Sequence, residues 1–148
     1  DLLGRKLLGD GGRAFALLSA RVETTLTAAR ADADLAPLAD ALATRWANLG
    51  PAIRVAGKIA TTDLELALAN AYLLLDAMGH RVVAWLWLDQ AIAAQRALQA
   101  GDVRRKMLEG KLAAARYFIT WELPTKDAVL ATFAGVDPLC RDVDPSTL

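Results

Sequence analysis

The sequence predicts an all-α fold, an antiparallel up-and-down four-helix bundle with a short fifth helix. Three observations point there. Leu and Ala dominate a chain that is 55% hydrophobic while Gly and Pro are sparse, a balance that favours helix over strand. One run, Thr62 to about Gln99, repeats apolar residues in alternating steps of four and three, the period of a helix packed lengthwise on other helices. The connections between helical runs are short, and short connections force consecutive helices to lie antiparallel.

Taken in order, Asp1 to Leu8 place Leu2, Leu3, Leu7 and Leu8 in a helical pattern without a start signal. Residues 1–8 are therefore expected to be the end of a helix belonging to an absent upstream domain, with those leucines seeking that body. Gly9-Asp10-Gly11-Gly12 then loosens the helix by raising the entropy that ordering must overcome. From about Gly12 to Ala31 a helix presents Phe15, Leu18, Val22, Leu26 and Ala29 inward. Asp32 and Asp34 mark a turn, and Pro37 suits the first turn of the next helix, where an amide would have no partner to lose. Leu38, Leu42, Trp46, Leu49, Ile53, Ala56 and Ala60 form one stripe that keeps its phase through Gly50-Pro51, so a kink near Trp46 to Gly50 is expected in preference to a split into two helices.

The third helix, about 55 Å long if unbroken, carries the seam Leu64, Leu68, Ala71, Leu75, Met78, Val82 and Trp85, continued by Ile92. Thr62 and Glu65 give it a capping-box start, and Gly101 suits the residue just past its end. Asp102 is the expected N-cap of a fourth helix to about Glu122, with Leu108, Leu112, Ala115, Phe118 and Ile119 inward. A short helix from Lys126 to Phe133 is closed by Gly135. Residues 9–135 thus form the helical bundle, and 136–148 an irregular tail.

At 100° per residue the third helix is not polar opposite its seam. Leu66, Leu73, Ala84, Trp87 and Leu88 lie there beside Asp76 and His80, and a second apolar stripe implies a second contact surface. Leu66, Leu73, Asp76, His80, Trp87 and Leu88 are the expected interface.

Charge and composition narrow the partners. Seventeen basic and 17 acidic side chains cancel, leaving no field to collect nucleic acid or a membrane surface, and neither partner is expected. A single cysteine, Cys140, excludes an internal disulfide and fits a reducing compartment, so a cytoplasmic location is expected. The most apolar run, Val82 to Leu88, is a third of what a span needs, and no basic leader with an apolar core opens the chain.

Chemistry-bearing residues are few. His80 is the only histidine; Asp76, four residues earlier, can orient its ring, but no third ligand stands at helical spacing to make a metal site. A polar pair packed at an interface is the better reading. The bulky Val82-Val83 that follow argue against a phosphotransfer histidine. Gly9 to Gly12 lack the preceding strand of a phosphate-binding loop. Trp46, Trp85, Trp87 and Trp121 read as core or interface aromatics, Arg104-Arg105-Lys106 as a solvated face, and nothing visible activates Cys140. No catalytic, cofactor-binding or metal residue is assigned.

Three segments together resemble the C-terminal helical extension found in one branch of the acyl-CoA dehydrogenases. They are Asp1-Leu2-Leu3-Gly4-Arg5-Lys6-Leu7, then Tyr72-Leu73 through Gly79-His80 to Trp85-Leu86-Trp87, then Gly110-Lys111-Leu112-Ala113-Ala114-Ala115-Arg116-Tyr117-Phe118 through Glu122-Leu123-Pro124. The resemblance implies a whole protein that oxidises an acyl-CoA thioester to its trans-2-enoyl form, with FAD taking the hydride. It implies that the catalytic glutamate and the flavin contacts lie upstream, so no such residue carries over and this stretch holds no cofactor itself. The implied partners are the dehydrogenase body of the same chain and further copies in a homo-oligomer such as a dimer. A free-standing helical binding or oligomerisation module is the alternative, and a small helical enzyme using Asp76 and His80 is a second rival.

Overall fold

The computed structural model describes residues 1–147, and among them no strand occurs. A π-helical segment, Leu2–Leu8, leads into α1 (Arg13–Arg30), α2 (Ala36–Ala47), α3 (Leu49–Ala60), α4 (Leu64–Ala69), α5 (Ala71–Gln99), α6 (Arg105–Tyr117), α7 (Lys126–Gly135) and α8 (Leu139–Asp142). A π-helical turn, Phe118–Glu122, and a 3₁₀ turn, Leu123–Thr125, join α6 to α7, and a last 3₁₀ turn spans Pro145–Thr147. The 29-residue α5, about 44 Å long, is the element around which the rest is packed, with α6 and α7 as its most extensive neighbours and α1 and α2 next.

The inner faces of α1 to α3 follow their apolar spacing. Val22, Leu26 and Ala29 of α1 and Leu38, Leu42, Trp46, Leu49, Ile53 and Ala56 of α2 and α3 are all buried in one core. Two indoles fasten it through their only donors: Trp46 Nε1 donates to Ser19 Oγ at 3.0 Å and Trp85 Nε1 to Thr25 Oγ1 at 2.8 Å, so both aromatic bodies enter the core without an orphaned N–H. Arg30 ties α1 to α2 at the surface through Asp40 at 2.9 Å.

Several boundaries differ from the sequence reading, each for a local reason. Instead of one kinked helix, α2 and α3 are separate helices meeting at Asn48, whose backbone stays helical (φ −72°, ψ −17°); Pro51 cannot donate back to the preceding turn. The long run breaks at Asn70 (φ −110°, ψ 21°), whose side-chain amide donates to the Asp137 carbonyl at 2.8 Å. The N-cap of α4 is Asp63, which accepts from the Leu66 amide at 2.9 Å, while the Thr62 hydroxyl turns back to the Ile59 carbonyl; the Thr62–Glu65 capping box does not form. Asp102 accepts from the Arg104 amide at 2.8 Å ahead of a helix that starts at Arg105, so it orders the turn and does not cap the helix. Gly101 does take the left-handed conformation expected past the end of α5 (φ 78°). The chain after Gly135 is not wholly irregular, since α8 packs on α4 and Arg141 reaches Asp63 at 2.5 Å.

The leading segment also departs from expectation. Leu3 and Leu7 are buried in this chain's own core, with Leu2 and Leu8 packed against it. Gly57 allows the fit, since a Cβ there would crowd Leu8 Cδ2 at 3.3 Å, whereas one on Gly4 would make an ordinary 3.7 Å contact with Leu68 Cδ2.

Candidate functional site

Inside α5 the buried line is Leu74, Ala77, Arg81, Ala84, Leu88 and Ala91. Four of these six are small or charged, so most of the large apolar residues that mark a core face in sequence stand elsewhere. Leu64, Leu68 and Leu75 of the expected seam are exposed, and only from Met78 onward does that seam turn inward, with Ile92 buried and Trp85 half-buried. Leu88, placed at an outer interface by the sequence reading, is fully buried among the chain's own residues and presents nothing to a partner.

The other five expected interface residues are half-buried. Asp76 and His80 do meet: His80 Nδ1 lies 2.9 Å from the Asp76 carbonyl oxygen and 3.1 Å from its carboxylate. An acceptor carbonyl at that distance requires the proton on Nδ1. Lys126, fifty residues away and read in the sequence only as the start of the short helix, donates to the other Asp76 oxygen at 2.9 Å. Its hydrogen bond holds the Asp76 carboxyl below the usual range, more than burial raises it, and the charges of Lys126 and His80 add to the lowering. Phe118 stacks on the imidazole with ring centres 6.1 Å apart. Asp76, His80 and Phe118 edge an open groove of about 340 Å³ shared with Leu75, Gly79 and Val83. Trp87 is covered by Lys111, whose ammonium stands 5.3 Å from the ring centre, and Leu66 and Leu73 sit at either side of the Asn70 break.

The arrangement is half of a general-base system: an oriented imidazole with a carboxylate behind it. Nucleophilic chemistry needs a hydroxyl or thiol in front of the ring as well. The hydrogen bonds of His80 among the described residues go to Asp76, and Cys140 is on α8, exposed. No group of three His, Cys, Asp or Glu side chains is placed to hold a metal ion among the described residues.

A second polar cluster went unread in the sequence. The Arg81 side chain is entirely buried, donating from Nε to the Arg45 carbonyl at 2.9 Å, from Nη1 to the Ala77 carbonyl at 2.9 Å and from Nη2 to Asp127 at 3.1 Å. Arg45 takes the other Asp127 oxygen at 3.1 Å. Burial pulls the Arg81 pKa below its ordinary value while the Asp127 charge opposes the shift. Above the cluster Pro51, Ala52 and Val55 of α3 face Leu130, Ala131 and Ala134 of α7 across a groove of about 260 Å³. The spacing Leu74, Ala77, Arg81, Ala84, Leu88 is the one sequence signal that places this arginine inside.

With this geometry in place, comparison with known families is informative. The model of the family described as "Acetyl-CoA dehydrogenase C-terminal like" matches residues 18–144. The chain belongs to that family. It is a C-terminal helical domain of the acyl-CoA dehydrogenase family, and the match covers α1 through α8 apart from the first residues of α1. The segment Asp1 to Leu7, one of the three that carried the resemblance, lies outside the matched range, so α5 and α6 carry it. No curated protein matches the chain. In this acyl-CoA dehydrogenase C-terminal domain no helix is long and apolar enough to cross a membrane among the described residues.

Proposed function

We propose that the chain is an accessory and assembly domain, non-catalytic by itself, of an FAD-dependent acyl-CoA dehydrogenase that converts acyl-CoA to trans-2-enoyl-CoA. In this reading α1, α2 with α3, α5 and α6 are the four rods of an antiparallel bundle and α7 is the short fifth. The observation that carries the assembly role is the outward line of large apolar side chains along α4 and α5, with Leu64, Tyr72 and Leu75 each more than half exposed. An apolar row of that length on a helix needs a partner. The dehydrogenase body of the same chain and a second subunit are the partners this reading supplies, and the cancelled net charge suits neither nucleic acid nor an anionic membrane.

The residues present do not fit FAD. The groove between α3 and α7, at about 260 Å³, is smaller than the roughly 300 to 1,000 Å³ of ordinary ligand pockets, and the wider grooves are open surface features. Arg81 has its guanidinium committed to Arg45, Ala77 and Asp127. The flavin of the proposed enzyme therefore belongs to another part of the protein.

The test is a flavin absorbance spectrum of the longer protein titrated with a panel of acyl-CoA thioesters. Bleaching by one of them is expected, with His80→Ala retaining turnover; a protein without flavin, or one that no thioester bleaches, overturns the reading. The free-standing helical module keeps one observation in its favour, the burial of Leu3 and Leu7 in this chain's own core. A start codon close upstream of Asp1 would decide for it.

A further inference from the structure

The groove between α3 and α7 has a polar end and an apolar end. Arg45 bonds Asp127 at 3.1 Å, and Asn48 follows Arg45 by three residues, so Asn48 and Asp127 stand together over the buried Arg81. Val55, seven residues beyond Asn48, and Ala134, seven beyond Asp127, stand at the other end. Seven helical residues rise about 10 Å, which sets the length of the groove. Its walls are apolar, and Ala52 and Ala131 leave the space open where longer side chains would close it.

The polar end selects the head group of a ligand by charge. The two guanidinium groups of Arg45 and Arg81 outweigh the one carboxylate of Asp127, and burial leaves the charge of Arg81 poorly screened, so an entering cation meets a net positive field. An anion fares no better. The Asp127 side chain is 43% exposed and that of Arg81 is 0% exposed, so the first charge an anion meets is the carboxylate. A neutral head avoids both penalties.

Hydrogen bonding narrows the head further. Each Asp127 oxygen accepts one guanidinium N–H and keeps a second lone pair, which calls for a donor. Asn48 is exposed and its side chain does not cap α3, so its Nδ2 is left to donate to an acceptor. A primary carboxamide carries both functions on one planar group, its NH₂ for Asp127 and its carbonyl oxygen for Asn48. At about 260 Å³ the groove lies below the range that holds drug-sized ligands, so the tail it takes is short.

We propose that the α3–α7 groove binds a short aliphatic primary amide, with the head between Asn48 and Asp127 and the tail running past Ala52 and Ala131 toward Val55 and Ala134. The site is independent of the assembly reading, since neither α3 nor α7 belongs to the outward apolar row of α4 and α5.

Amide proton–nitrogen NMR spectra of the labelled 148-residue chain, titrated with hexanamide, test it, with circular dichroism to verify folding of each variant. Hexanamide is expected to shift the signals of Val55, Ala131 and Ala134 saturably and to leave Ala113, exposed on α6, unmoved. Affinity rises about fourfold with each methylene from propanamide to hexanamide, the gain for a buried CH₂. Hexanoate and hexylammonium, which carry the same tail on charged heads, bind at least tenfold more weakly. Ala131→Leu fills the groove from an exposed position and weakens hexanamide binding at least tenfold, whereas Ala113→Leu leaves it unchanged. Asn48→Leu also weakens binding and leaves the chain-length trend in place. Absence of saturable shifts in the groove, hexanoate or hexylammonium binding as tightly as hexanamide, or indifference to both Ala131→Leu and Asn48→Leu overturns the proposal.

Discussion

Asp127 lies 3.1 Å from the wholly buried Arg81 on one carboxylate oxygen and 3.1 Å from Arg45 on the other, joining α2, α5 and α7 through a single side chain. Two guanidinium groups and one carboxylate leave an excess positive charge beneath the α3–α7 groove. Removing the carboxylate strands the buried guanidinium, which is the costly way to break such a pair. Asp127→Ala is expected to lower stability by about 3 kcal/mol. Urea unfolding checks it: the midpoint falls while the slope, set by the surface exposed, stays the same.

Leu88 and Leu86 are near neighbours in sequence with opposite surroundings, one fully buried and one 46% exposed. Leu88→Ala leaves a cavity among core side chains and is expected to cost about 2 to 5 kcal/mol. Leu86→Ala, at an outward position, is expected to stay within about 0.5 kcal/mol for the monomer. Thermal unfolding of the pair at low concentration separates the two faces of α5.

Val136 closes α7 in the left-handed region (φ 51°, ψ 51°), where a β-branched side chain crowds its own backbone. Gly135, the expected closing residue, sits one position too early. Val136→Gly is therefore expected to stabilise the chain by about 1 kcal/mol. A rise in the urea midpoint checks it, and a fall would mean that the contacts of the half-buried Val136 outweigh the relief of strain.

Five carboxylates among the described residues are held below their ordinary value of 3.8, two of them Asp142, chiefly by the Arg141 side chain, and Asp144, chiefly by the Ser146 amide. Asp102 is held at about 2, chiefly by the Arg104 side chain and then by its amide; Asp76 is held down chiefly by Lys126; Asp63 chiefly by the Leu66 amide and then by Arg141. A carboxylate with a depressed folded pKa binds protons less readily in the folded chain than in the unfolded one. Its contribution is thus present above about pH 4 and is lost as the pH falls toward 2. The thermal midpoint is expected to drop across that interval. Asp102→Asn should lower the midpoint above pH 4 and make the acid limb shallower, which a series of melting curves from pH 2 to 7 will show.

The parts of the fold legible in sequence are those in which size and burial agree. Val22, Leu26 and Ala29, then Leu38 through Ala56, are large or small apolar residues at helical spacing, and they are inside. On α5 the two criteria separate. Ala77, Ala84 and Ala91 are buried because α5 lies close against its neighbours, and Arg81 is buried because Asp127 and two carbonyl groups satisfy it. Meanwhile Tyr72, Leu75 and Leu86 face out. A hydropathy pattern weighs an exposed leucine above a buried alanine or arginine, so the seam was drawn on the wrong side before Met78. The Asp76–His80 pair was legible because both members share one helix. Lys126 was not, since its contact with Asp76 exists only after α7 has packed on α5.

Gly11 and Gly12 both take positive φ, 67° and 84°, so the chain reverses sharply between the leading π-helical segment and α1. With Leu3 and Leu7 anchored on the far side of that reversal, a peptide bond cut at Gly11–Gly12 would not liberate the first residues. The nicked molecule would migrate as one species in a native gel and come apart only in denaturant. The opening segment behaves, in effect, as a ligand that happens to be covalently attached.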